Sequence, residues 1–250
     1  MENSVLRRCA GDIAAALALL TRLPLPSAPM RGAAAAWAYP LAGAVVGLIG
    51  GLAGLAALWG GLPSALAALA ALAAQVIVTG AMHEDGLADT ADGLWGGWTR
   101  ARRLEIMKDS HVGPYGVIAL ILSLSARWSA LWLMFQMDAG WAVAAIITAG
   151  AASRAAIPAL MWALPHARGA GLSHGTGRPG TRIVGAGAAL ALGLALLLVG
   201  WSAIPALFWT GASVFAASLV LRAKIGGQTG DTLGAVQQVT EIAILLSLVS

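Results

Sequence analysis

The stretch WAYPLAGAVVGLIGGLAGLAALW, Trp37 to Trp59, carries no charged residue from end to end. About 20 consecutive apolar residues at 1.5 Å per residue cross the ~30 Å hydrocarbon core of a bilayer, so this run is long enough to span one. Trp37, Tyr39 and Trp59 stand at its ends, where amphipathic rings anchor at membrane interfaces. The glycines within it let helices approach closely in lipid.

Comparable runs follow at Leu62–Met82, Val112–Phe135, Gly140–Trp162, Ile183–Gly200 and Ala203–Leu221, with a shorter one from Leu233 to Ser250. They are long and continuous, unlike the alternating ten-residue strands of a membrane barrel. The expected fold is therefore all-α, a polytopic integral membrane helical bundle of about seven spans forming one domain over residues 1–250. Composition agrees: 59% of the residues are hydrophobic and only 10% charged, against about 25% charged in soluble domains. The net charge of +4 comes without a dense Lys/Arg stripe interleaved with aromatics, so no nucleic-acid partner is expected. Cys9 is the only cysteine, which excludes an internal disulfide and a thiolate metal site.

At the amino terminus, Arg7 and Arg8 precede Ile13–Leu20, and Ser27-Ala28-Pro29 follows, a pattern with some likeness to a signal peptide. The apolar segment is too short to span. It reads as a short interfacial or re-entrant helix ending at Leu23-Pro24-Leu25-Pro26.

The links between runs alternate in character. Gly60-Gly61, Gln136–Ala139 and the turn around Ser202 are short and contain no Lys or Arg. The long links hold Arg22 and Arg31; Arg100, Arg102, Arg103 and Lys108; Arg168, Arg178 and Arg182; and Arg222 with Lys224. The positive-inside rule then places the long links in the cytoplasm, as expected of a multi-pass protein of the cytoplasmic (inner) membrane. Glu84, Asp85, Asp89, Asp92, Glu105, Asp109 and Asp231 fall on that side, and Asp138, alone on the other, reads as a turn cap. The expected active site faces the cytoplasm.

The richest constellation is His83-Glu84-Asp85-Gly86-Leu87-Ala88-Asp89-Thr90-Ala91-Asp92-Gly93. At ~100° per residue, Asp85, Asp89 and Asp92 share one helix face. Three carboxylates on one face repel, and desolvation at a membrane boundary raises that cost. A cation offsets it, and Mg²⁺ suits carboxylate, water and phosphate oxygens. The competing reading is a solvated acidic helix end, but no lysines interleave the acids, and Gly86 and Gly93 are poor helix formers.

Downstream, Arg102 to Asp109 with His111 mixes bases and acids, where Arg and Lys can clamp phosphates or simply anchor at anionic headgroups. Gly226-Gly227-Gln228-Thr229-Gly230-Asp231-Thr232 opens the last run, where glycines and a helix amino terminus suit an anion. Asp231 adds a carboxylate there; Thr229 or Asp231 as an ordinary N-cap is the alternative. Arg127 and Arg154 lie inside apolar runs, where an unpaired charge is costly. Arg154 is placed to reach a phosphate or an aspartate, Arg127 to snorkel toward the opposite face, and Glu241 to pair with one of them. The serine-nucleophile, zinc-protease and dinucleotide signatures are all missing.

Thr21-Arg22-Leu23-Pro24, His83 to Gly93, Leu104 to Ser110, Ser153-Arg154 and Gly226 to Ala235, in this order over nearly the whole chain, resemble the cobalamin synthase family, the adenosylcobinamide-GDP ribazoletransferases. Glu84 departs from the apolar residue expected there. The resemblance implies a transferase of cobalamin nucleotide-loop assembly that joins adenosylcobinamide-GDP to α-ribazole or its 5′-phosphate, releasing GMP. Lipid is its other partner, and a homo-oligomer is compatible with it. On this reading Asp85, Asp89, Asp92 and Asp231 hold Mg²⁺. Asp92 or Asp89 takes the proton, and Lys108 and Arg154 act on the phosphates. His83, Arg102, Asp109, His111, Gly227, Gln228, Thr229 and Gly230 bind substrate. A CDP-alcohol phosphotransferase fits less well, because its Asp-Gly-x-x-Ala-Arg pattern loses its arginine at Asp89. A transporter fits less well because the acids gather at one membrane face rather than at the midplane.

Overall fold

A computed structural model describes residues 2–25 and 31–249. Pro26, the Ser27-Ala28-Pro29 pattern and Ser250 lie outside the described residues. The helices are α1 (Glu2–Leu20), α2 (Tyr39–Trp59), α3 (Ser64–Thr79), α4 (Met82–Gly96), α5 (Arg100–Ile106), α6 (Pro114–Met137), α7 (Ala139–Ala163), α8 (Leu172–Thr176), α9 (Thr181–Val199), α10 (Ala203–Ile225) and α11 (Gly230–Val249). Short 3₁₀ helices occupy Gly32–Ala38 and Gly200–Ser202. No strand occurs among the described residues, so the chain is all-α.

Helix α7 is the axis of the bundle. It is buried on nearly every side and packs against α2, α6, α9, α10 and α11. Its Ala- and Gly-rich sequence permits this, since small residues let membrane helices touch backbone to backbone. A Cβ on Gly150 would lie 2.5 Å from the Gly43 carbonyl oxygen of α2, so neither position has room for a larger residue.

Among the described residues, five stretches are long and apolar enough to cross a membrane, and six if the bent pair α3 and α4 counts as one. Two differences separate this from the expected seven. First, Thr181–Ile225 is one 45-residue helical stretch interrupted at Gly200, whose φ of +56° no continuing helix adopts. Arg178, just before α9, donates to the Met161 carbonyl, and Arg222, near the end of α10, donates to that of Ala163. Both ends of the stretch thus return to the last turn of α7, and α9 and α10 form a hairpin. Second, α3 has only 16 residues, about 24 Å of helix, and then turns by 85° into α4. Gly80 and Ala81 make that turn with φ of +63° and +56°. For alanine this left-handed conformation costs roughly 1–2 kcal/mol.

The long links converge at one end of the bundle. Arg22 N–H bonds the Val78 carbonyl, Arg100 the Ala167 carbonyl, Arg103 that of Lys224 and Arg168 that of Leu104. At the opposite end Asp138 caps α7, accepting a bond from Trp141 N–H. Helix α1 docks on this frame through Asp12, which is ion-paired with Arg31 at 2.8 Å and bonded by the Trp37 indole.

Candidate active site

Helix α4 lies across the loop-bearing end, against α6 and the start of α11. Its closeness to α11 depends on Gly86, where a Cβ would sit 2.7 Å from the Asp231 carbonyl oxygen. A cavity of about 270 Å³ opens beside this contact. Asp85 and His83 of α4, Gln228, Thr229, Gly230 and Asp231 at the start of α11, and Arg168 line it. Ser173 and His174 of α8, His166, and Tyr39, Ile157 and Met161 of the spans complete the wall. Thr229 caps α11: its hydroxyl accepts from Thr232 N–H while the Thr232 hydroxyl accepts from Thr229 N–H. The positive end of the α11 dipole therefore opens at the cavity wall.

Charge at the mouth is unbalanced toward acid. Arg168 pairs with Asp231 at 3.0 Å. Asp85 is exposed on the cavity wall, whereas Asp89, one turn along α4, is half-buried and does not line the cavity. Burial first, then the neighbouring Asp85, Asp231 and Asp92, push the Asp89 carboxyl from 3.8 up to about 7, against the opposing pull of Arg168. His83 is buried in the wall with neither ring nitrogen hydrogen-bonded. Burial, and after it the charges of Arg154 and Arg127, holds its pKa well below the ordinary value, so the ring is neutral.

The expected site residues divide. The structure brings His83, Asp85, Gln228, Thr229, Gly230 and Asp231 to one cavity. Asp92 faces elsewhere: its two oxygens accept from the Gly113 and Gly116 N–H groups at 2.7 and 2.9 Å, at the positive end of α6. Gly227 packs against the Pro165 carbonyl behind the wall. Arg102 pairs with Glu105 on the exposed face of α5, Lys108 is exposed beside it, and His111 bonds Asp109 at 2.7 Å on the surface. That bond holds the Asp109 carboxyl below its usual value.

Arg154 is not on the cavity wall. It is buried, donates to the Gly150 carbonyl and pairs with Glu241 at 3.4 Å. Arg127 does not snorkel, and Glu84 does not join the loop acids; the two are buried together. Arg127 donates to Glu84 and Gln238 through one nitrogen and to Gln75 and Glu241 through the other, at 2.7 to 3.0 Å. Two arginines and two glutamates thus form a neutral cluster joining α3, α4, α6, α7 and α11. Charges at membrane depth need partners of this kind.

Residues that the motifs did not expose are Tyr39, Arg168, His166, Ser173, His174 and the network glutamines. One signal did exist: of the chain's four histidines, three line the cavity. Among the described residues no three His, Cys, Asp or Glu side chains converge as a ready metal cage. Mg²⁺ does not need one, since it binds through one or two carboxylates plus water and substrate phosphates. Asp85 and Asp231, beside the cavity and crowding the Asp89 charge, fit that partial donor set.

The fold and the site together define a polytopic helical membrane protein with an acid-lined cavity at its loop-bearing end. The chain belongs to the cobalamin-5-phosphate synthase family, whose model matches residues 12–249. A protein named adenosylcobinamide-GDP ribazoletransferase from Mesorhizobium japonicum is 48% identical over 243 residues, covering 96% of this chain and 93% of that one. Proteins of the same name from Bradyrhizobium diazoefficiens and Brucella ovis are 46% identical over 253 residues and 43% over 256. These alignments cover 98% and 96% of this chain, and 95% and 96% of the relatives. No solved structure matches it.

Proposed function

We propose that this chain joins adenosylcobinamide-GDP to α-ribazole or its 5′-phosphate, releasing GMP, at the cytoplasmic face of the inner membrane. The observation that carries the reading is the meeting of Asp85, Asp231 and Arg168 at the mouth of one cavity beside the amino terminus of α11. That arrangement suits a diphosphate: cationic and dipolar groups meet its oxygens, and carboxylates share a metal with it.

A ribose hydroxyl of the acceptor attacks the phosphorus that carries cobinamide. The new P–O bond forms as the bond to the GMP oxygen breaks. Asp85 and Asp231 would hold Mg²⁺, which would neutralise charge on the diphosphate and on the departing GMP. Arg168 orients non-transferred phosphate oxygens. Asp89, half-buried one turn along α4 from Asp85, would receive the hydroxyl proton, and the burial that raises its pKa suits it to act as a general base. Asp92 secures α6 against α4, and the Arg127–Glu84 pair holds α4 to the interior of the bundle. The positive-inside pattern supports the cytoplasmic placement.

The test is an assay of GMP release by purified protein given adenosylcobinamide-GDP, each acceptor in turn, and Mg²⁺. Release that requires all three supports the reading. No release with either acceptor sinks it.

A further inference from the structure

The cavity changes character along its depth. At the mouth Asp85 is exposed, and the Arg168 and Asp231 side chains retain 16% and 23% of their surface. Farther in, Leu20, Tyr39, Ile157 and Met161 are almost fully buried, and all four belong to one apolar cluster at this end of the bundle. Charge marks the entrance and hydrocarbon the floor.

Few polar atoms at the floor are free. The Gln228 oxygen accepts from the Ser173 hydroxyl at 2.6 Å, and its nitrogen meets His166 Nδ1 at 2.9 Å. The His83 ring nitrogens are unpartnered, but they are buried and closed to a ligand in the cavity.

Two aromatic bases enter the proposed reaction. Guanine carries donors and acceptors along its pairing edge, and a site lacking their complements leaves them unsatisfied. The benzimidazole of α-ribazole is flat, with a fused ring free of hydrogen-bonding groups. A cavity of about 270 Å³ lies just below the usual range for small-molecule sites, room for one base with its sugar but not for a corrin ring.

On the transferase reading above, we infer that the cavity floor is the acceptor subsite. It binds the benzimidazole ring against Tyr39, Ile157 and Met161, with the reactive end of the sugar turned toward Asp85. The donor diphosphate enters at the mouth, and its guanine and corrin stay outside the floor.

Calorimetry on detergent-solubilised protein tests this without turnover, with α-ribazole and Mg-GDP as separate probes. Met161→Glu should weaken α-ribazole binding at least tenfold and leave Mg-GDP binding within twofold, which also shows that the variant is folded. Should Met161→Glu fail to fold, free 5,6-dimethylbenzimidazole is titrated into wild-type protein, where it should displace α-ribazole and not Mg-GDP. Loss of Mg-GDP affinity in Met161→Glu with α-ribazole unaffected would overturn the assignment, as would displacement of Mg-GDP by the free base or a lack of α-ribazole binding to wild type. Wild-type protein that binds α-ribazole but releases no GMP would instead overturn the transferase reading.

Discussion

Arg127 Nη1 lies 2.7 Å from Glu84 Oε1, and through this pair the helix that carries the acidic face is tied to the interior of the bundle. Glu84 points inward from α4 while Asp85, the next residue, points to the cavity. The turn that launches α4 includes a left-handed alanine, so the helix needs holding from within. Removing Arg127 alone leaves Glu84 buried without its main partner. Arg127→Met should therefore cost about 3–5 kcal/mol, the usual effect of breaking a buried pair. The double variant Arg127→Met, Glu84→Leu should recover much of that loss. Thermal melts of the solubilised protein check both; equal destabilisation by the single and double variants would contradict the pairing.

Asp92 accepts two N–H bonds at the start of α6 and acts there as a cap from a neighbouring helix. Asp92→Ala should lower stability by about 1–2 kcal/mol, the range of a lost cap, whereas Asp92→Asn keeps one acceptor oxygen and should cost less. If Asp92 were the proton acceptor instead, Asp92→Asn would abolish turnover with stability intact. Measuring melting temperature and kcat on both variants separates the two outcomes.

The raised Asp89 pKa gives two pH signatures. Between 3.8 and about 7 the folded carboxyl binds more protons than the unfolded one, so its contribution to stability declines as pH rises through that window and is flat above it. Asp89→Asn should remove this slope. Activity runs the other way, because only the carboxylate takes a proton. Mg²⁺ on Asp85 and Asp231 would relieve part of the repulsion but not the burial that raises this pKa, so kcat should fall as pH drops through a midpoint between 3.8 and about 7, by at most about tenfold per pH unit. A profile flat from pH 4 to 8 would remove Asp89 from the proton path.

Among the described residues Arg168 is the only arginine on the cavity wall, and it pairs with Asp231. Arg168→Gln should raise the KM for adenosylcobinamide-GDP about tenfold or more, as expected for a lost charge-assisted phosphate contact, with the acceptor KM little changed. Steady-state kinetics with each substrate varied in turn reads this directly.

The helical bundle was legible because lipid imposes long apolar runs, and the α4 acids because their spacing matches a helical face. Two features stayed hidden for physical reasons. The 85° turn before α4 rests on an alanine in a left-handed conformation, which composition does not announce. Which acids face the cavity depends on packing, and Glu84, Asp85 and Asp92 of one short segment end in three surroundings: a buried ion pair, an open mouth and a helix cap. Gln75, Gln237 and Gln238 look incidental inside apolar runs until Arg127, Ser153 and Glu241 are seen to bond them. His166 and His174 belong to no motif, and only their membership of a set of four histidines sets them apart from other loop residues.

The central claim is that the α4 acids serve phosphoryl transfer with Mg²⁺ at the cavity mouth. Its most direct test is a Mg²⁺ titration of GMP release from adenosylcobinamide-GDP and α-ribazole, run on wild-type protein and on Asp85→Asn. The wild type should show saturable dependence on Mg²⁺, and Asp85→Asn should lose at least a hundredfold in rate, or need far more Mg²⁺, while melting like the wild type. Wild-type turnover indifferent to Mg²⁺, or a fully active Asp85→Asn, would contradict it.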